Sequence, residues 1–84
     1  MTKNEITSRL KKCMASVFGI EEDVISDETS MDNMETWDSL RHINLIIALE
    51  QEFGISFPDE EVVLLTSFEL LCMTILDIVG VHDE

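Results

Sequence analysis

The chain has 84 residues, of which 18 are acidic and 5 basic, so its formal net charge is -13 at neutral pH. That charge repels nucleic acid phosphates and anionic membrane surfaces, which excludes both as principal partners and favours proteins with basic patches. Because 45% of the residues are hydrophobic, the composition predicts a folded domain, and the length predicts a single one over residues 1–84.

The sequence predicts neither an export signal nor a membrane-spanning segment. The first residues lead directly into an amphipathic pattern, and no apolar stretch is long enough to cross a bilayer. Cys13 and Cys72 stand alone in helical apolar stripes, without metal-ligand spacing. We therefore expect a cytoplasmic monomer with two reduced, buried thiols, while a disulfide between them remains the alternative.

A first helix is predicted from apolar residues at three- and four-residue steps, with a capping box formed by Thr2 and Glu5 and an end at Gly19. These apolar residues are Ile6, Leu10, Cys13, Met14, Val17 and Phe18. Residues 20–37 lose the pattern and predict a long loop, in which a short helical turn can be hidden. The residues expected to anchor the loop are Ile20, Val24, Ile25, Met31 and Met34. The loop's acidic residues lack the spacing of an EF-hand.

A second helix is predicted over residues 40–53, which contain neither Pro nor Gly. Asp38 can accept hydrogen bonds at its start and Gly54 can end it, which places Ser39 at the first helical position with its hydroxyl in water. Two apolar stripes run along the helix. One contains Leu45, Ile46, Leu49 and Phe53, and the other contains Leu40, Ile43 and Ile47. One stripe must face the core, and the second is either buried by neighbouring helices or exposed to a partner.

The rest of the chain predicts a connector with a buried Phe57, a short acidic helix and a final helix. The short helix opens with Asp59, Glu60 and Glu61. The inward residues of the final one are Phe68, Leu71, Cys72 and Ile75, and this face can extend to Ile78 and Val79. Thr66 and Glu69 have capping-box spacing, Gly80 ends the final helix, and His82 is assigned to a frayed tail. The predicted fold is all-α, a small four-helix bundle with a long first loop and a short third helix.

Ser39, His42 and Asp38 combine the residue types of a nucleophile, a base and an orienting carboxylate. The chain offers no element that obviously supplies oxyanion donors, however, and no pocket-sized core. We therefore expect no catalytic residues and no metal site, and we place His42 on the helix surface.

The run Asp38-Ser39-Leu40, its helix, and the later Phe53-Gly54-Ile55 and Phe57-Pro58-Asp59-Glu60 resemble an acyl carrier protein. The resemblance implies that a phosphopantetheinyl transferase moves 4′-phosphopantetheine from coenzyme A to Ser39, which Asp38 and Leu40 flank. The terminal thiol would then carry acyl or aminoacyl groups as thioesters between loading and processing enzymes that have basic patches. It also implies shielding of the arm by Leu45, Ile46 and the facing helices. The implied docking face consists of Leu40, Arg41, Ile43, Ile47 and Glu50.

Two departures from that family's pattern bear on the pathway. Typical fatty acid carriers have acidic residues where this chain has Arg41 and Asn44, and many have a small or glycine-containing lead-in where it has Trp37. A carrier outside housekeeping fatty acid synthesis is therefore expected, for a specialised metabolite, a surface polysaccharide or an aminoacyl group. The alternative is an acidic helical interaction module that is never modified and binds a basic partner through the same face.

Overall fold

The computed structural model describes residues 2–80, which form four α-helices. They are α1 (Lys3–Phe18), α2 (Ser39–Phe53), α3 (Asp59–Val62) and α4 (Phe68–Val79). Helix α1 packs against both α2 and α4, while α3 is a single turn. Over the described range this confirms the predicted helical bundle with a long first loop and a short third helix. The tail that contains His82 lies outside the described residues.

Local sequence signals define both ends of α1. The Thr2 hydroxyl accepts a hydrogen bond from the Glu5 N–H at 3.2 Å, and the Glu5 carboxylate accepts one from the Thr2 N–H at 3.1 Å. These bonds confirm the predicted capping box, and the second one is the main cause of a lowered pKa at Glu5. Gly19 ends the helix with φ of 69°, in the left-handed region that favours glycine.

The core is built from the apolar stripes of α1, α2 and α4. Seven side chains are almost completely hidden from solvent: Ile6, Leu10, Met14, Leu45, Leu49, Leu71 and Ile75. Phe57 is also buried, as predicted for the connector. Both cysteines are free thiols, but only Cys72 is buried, since Cys13 at the edge of the core is partly exposed.

The long first loop lies against the start of α4. It contains a short 3-10 helix (Glu22–Val24), which confirms the hidden turn, and Ile25 is buried as expected. Val24 is exposed, so its predicted role as an anchor is wrong. Two backbone hydrogen bonds hold the loop instead, from Met31 N–H to the Thr66 carbonyl at 2.9 Å and from Phe68 N–H to the Thr29 carbonyl at 2.8 Å.

The start of α4 differs from the prediction. Its N-cap is Ser67, whose hydroxyl accepts a hydrogen bond from the Leu70 N–H at 3.1 Å, rather than Thr66 paired with Glu69. The pairing of the loop with Thr66 and Phe68 accounts for this, because it holds Ser67 between them in an extended conformation that suits an N-cap. Among the described helices, none combines the length and the apolar character that crossing a membrane requires.

Candidate functional site

Ser39 is the first residue of α2 and its side chain is exposed, as predicted. The preceding residue, Asp38, is the N-cap, and its Oδ1 accepts a hydrogen bond from the Arg41 N–H at 2.9 Å. The N–H groups of Ser39 and Leu40 have no hydrogen-bond partner among residues 2–80. They are the unpaired donors at the positive end of the helix dipole, and a phosphate group attached at Ser39 suits them.

His42 is buried, and its predicted place on the helix surface is wrong. The residue is 6% exposed, and its ring stacks on that of Trp37. Trp37 is 2% exposed and packs on Phe18 with ring centroids 5.2 Å apart. The indole N–H of Trp37 is 3.1 Å from His42 Nδ1, and His42 Nε2 is 2.7 Å from the Val62 carbonyl oxygen. Because an indole nitrogen only donates, Nδ1 must accept, and the ring proton on Nε2 is donated to Val62.

These hydrogen bonds separate the members of the possible catalytic trio. Both ring nitrogens of His42 are engaged with Trp37 and Val62, so neither is free to take a proton from Ser39. The Asp38 carboxylate caps α2 and also lies 3.1 Å from Arg41 Nη1, so it does not orient the imidazole. The Ser39 hydroxyl is therefore exposed to solvent but has no adjacent general base that would activate it as a nucleophile.

A cleft of about 230 Å³ opens directly beside Ser39, between α2 and the end of α3. Its walls are Met31, Ser39, His42, Ile43, Val62, Val63 and Thr66. Leu45 and Ile46, which the resemblance implied as shielding residues, are core side chains and do not line this cleft. Sequence reasoning missed Val62 and Val63, because nothing local indicates that the end of α3 lies beside Ser39.

The implied docking residues are in two different situations. Leu40, Ile43 and Ile47 are 69%, 54% and 50% exposed, so the second stripe of α2 faces solvent and is not covered by neighbouring helices. Arg41 pairs with Asp38, and the Glu50 carboxylate accepts a hydrogen bond from the Phe57 N–H at 2.9 Å. Glu50 therefore holds the connector to α2, in addition to any role towards a partner.

Comparison with protein families identifies the class. The family model described as a phosphopantetheine attachment site matches residues 8–79. The chain belongs to this family. A member bears 4′-phosphopantetheine covalently and works with partner enzymes, including a phosphopantetheinyl transferase. In this carrier, no cluster of potential metal ligands is present within the part of the chain that the structure describes.

Proposed function

We propose that Ser39 is the serine to which 4′-phosphopantetheine is attached. The observation that carries this proposal is its position as an exposed residue in the first turn of α2, beside unpaired N–H groups and an apolar cleft. Other serines in the matched region have different surroundings. Ser67 caps α4 through its hydroxyl, and the exposed Ser56 lies in the connector, outside the one-turn helix α3 and two residues before its N-cap Pro58.

Attachment is a phosphoryl transfer to the serine oxygen. Ser39 Oγ attacks the phosphorus that bears the pantetheine half of coenzyme A, and a new P–O bond forms. The bond from that phosphorus to the bridging oxygen breaks, and 3′,5′-ADP leaves with its electron pair. Since His42 has no free ring nitrogen, the serine proton passes to a base of the transferase. The attached group supplies a terminal thiol, which holds acyl or aminoacyl groups as thioesters.

The carrier meets its partners through α2. Leu40, Ile43 and Ile47 form an exposed apolar strip, and the formal net charge of -13 attracts enzymes with basic surfaces. Arg41, two residues after the serine, carries the opposite charge and therefore disfavours partners with basic surfaces at this point. This supports a biosynthetic pathway other than housekeeping fatty acid synthesis. A cytoplasmic location is supported by the two free thiols, since oxidising compartments favour disulfides.

Intact-protein mass spectrometry tests the attachment. After incubation with coenzyme A and a phosphopantetheinyl transferase, we expect one phosphopantetheinyl group per chain. Ser39→Ala should abolish the addition, whereas Ser56→Ala, which removes another exposed serine hydroxyl, should leave it complete. Addition to the Ser39→Ala variant would move the site elsewhere. No addition to the natural chain, under conditions that modify a known carrier, would instead favour the unmodified interaction module.

A further inference from the structure

Helix α4 exposes apolar side chains on the face that points away from the core. Leu70 and Met73 lie one turn apart on this face and are 43% and 60% exposed. The exposed residues of α1, in contrast, are all polar, and the apolar strip of α2 belongs to the surface around Ser39. The outer face of α4 is therefore an apolar surface to which neither the core nor the proposed attachment site assigns a role.

Two clefts of about 350 Å³ each meet at Met73. The first lies between α4, the start of α1 and the long loop, and its apolar walls include Phe68 and Leu76. The second lies between α4 and α3, and Leu70 and Thr74 line it. Met73 is thus a ridge between two depressions, and neither depression shares a lining residue with the cleft beside Ser39.

The charged residues around this α4 ridge, which consists of Leu70 and Met73, are mainly acidic. Four exposed carboxylates line the two clefts, against the single ammonium group of Lys3: they are those of Asp27, Glu61, Glu69 and Asp77. None of these carboxylates takes part in the three ion pairs found among residues 2–80. A second copy of the chain would bring the same acidic surface and a formal net charge of -13, so self-association through the ridge is disfavoured.

We propose that the α4 ridge is a second docking surface, which binds a basic amphipathic helix of a partner protein. Apolar side chains of that helix occupy the two clefts beside Met73, and its Lys or Arg residues pair with the surrounding carboxylates. The flexible thioether side chain of methionine adapts well to such a partner. Because the ridge is separate from the cleft beside Ser39, this binding does not depend on the attachment proposed there and leaves α2 free for the enzymes that act on the carried group.

Amide NMR spectroscopy during titration with a synthetic peptide tests the location of binding. The probe is a helical peptide of about 15 residues, with leucine on one face and lysine on the other, and the control peptide has glutamate in place of lysine. We expect the lysine peptide to shift the resonances of Leu70, Met73 and Thr74 more than those of Ile43 and Ile47, and the glutamate peptide to shift none of them. Largest shifts on α2, or shifts spread evenly over the protein, would contradict the proposal.

A matched pair of variants tests the apolar contribution. Met73 and Ile47 are 60% and 50% exposed on different helices, so glutamine can replace either without opening a cavity in the core. Met73→Gln should weaken binding of the lysine peptide at least about fivefold, as expected for a residue at the centre of an interface. Ile47→Gln and Ser39→Ala should both leave the affinity unchanged, whether or not the chain carries phosphopantetheine. Equal losses from Met73→Gln and Ile47→Gln would overturn the proposal.

A second pair separates local charge from net charge. Glu69→Gln combined with Asp77→Asn should weaken binding about threefold at low salt, and less as the salt concentration rises. Asp23→Asn combined with Glu28→Gln removes the same charge from exposed loop positions that line neither cleft, and should have a clearly smaller effect. Equal effects of the two pairs would contradict a local site. A dimer in sedimentation that Met73→Gln dissociates would assign the ridge to a second copy and also overturn the proposal.

Discussion

The indole N–H of Trp37 donates a hydrogen bond to His42 Nδ1 over 3.1 Å, in a part of the core where both side chains are buried. The imidazole then donates from its other nitrogen to the Val62 carbonyl, so a continuous chain of hydrogen bonds connects the residue before Asp38 with the end of α3. Buried polar groups that are linked in this way depend on one another, because removal of one leaves the hydrogen-bonding group of its neighbour without a partner. The pair links the core to the surroundings of Ser39.

The Trp37–His42 hydrogen bond should be visible in a double-mutant cycle. Trp37→Phe removes the N–H and leaves His42 Nδ1 without its donor, which should cost about 1–3 kcal/mol in the free energy of unfolding. His42→Leu should cost a similar amount, because it leaves the indole N–H unpaired. The double variant should lose about 0.5–3 kcal/mol less than the sum of the two, since neither partner is then left alone. Urea unfolding of the four proteins measures these values, and strictly additive losses would contradict the pairing.

The charge of the protein predicts stabilisation by salt. Among residues 2–80 the structure contains three ion pairs, each between exposed side chains: Arg9–Glu52, Lys12–Glu22 and Arg41–Asp38. With a formal net charge of -13, repulsion between the remaining carboxylates should outweigh these pairs, so added sodium chloride should raise Tm.

Calcium and magnesium provide a second test of the same repulsion between carboxylates. Because the described residues hold no cluster of metal ligands, calcium or magnesium should raise Tm through screening and loose association with the acidic surface. A Tm that is constant or falls with sodium chloride, measured by circular dichroism, would show that the carboxylates do not repel one another appreciably.

Arg41→Asp tests whether Arg41 selects partners. Arg41 Nη1 lies 3.1 Å from Asp38 Oδ2, and both side chains are about half exposed, so the pair contributes only about 0.2–1 kcal/mol. Little stability is therefore lost when Arg41 is replaced. A negative charge at this position attracts the basic surface of a generic fatty acid synthesis enzyme, so transfer should increase severalfold at low salt, and the gain should shrink as the salt concentration rises. Arg41→Gln, which removes the positive charge without adding a negative one, should give an intermediate rate. Equal rates for all three proteins at low salt would exclude a role in selection.

Cys13 should react slowly with alkylating reagents. Partial burial raises the pKa of its thiol, and the nearby negative charge of Glu52 raises it further. A raised pKa means less thiolate at a given pH, and the thiolate is the reactive form. At pH 8 the folded, unmodified protein should therefore be alkylated at Cys13 more slowly than the urea-unfolded chain, as peptide mapping can measure. Glu52→Gln should increase the folded rate, and a folded rate equal to the unfolded one would contradict the raised pKa.

Much of the fold was predictable because its signals are local. The Thr2 and Glu5 capping box, the Asp38 cap, and the end of α2 at Gly54 depend on residues within one helical turn, and the structure confirms each of them. The position of Ser39 at the start of α2 follows from the same signals. The exposed serine and its helix were therefore encoded by the sequence alone.

A sequence signal for His42 was also available, although it was not used. His42 precedes Leu45 by three residues and Leu49 by seven, which places it on the buried stripe of α2. Its polarity argued for the surface, and the prediction followed polarity. Only the tertiary structure brings Trp37 and the Val62 carbonyl to its two nitrogens. The hydrogen bonds to these partners offset the cost of removing the imidazole from water.

Tertiary structure alone decided the α4 cap, the exposure of the second α2 stripe and the cleft. Thr66 and Ser67 are both suitable N-caps in isolation, and backbone pairing with a loop more than thirty residues earlier decides for Ser67. Likewise, Ile43 and Val63 become neighbours of one cleft because α3 packs beside α2. Helix caps and apolar periodicity depend on residues that are close in the sequence, so they can be predicted from it. The contacts that select the α4 cap and form the cleft join distant segments and exist only once the chain is folded.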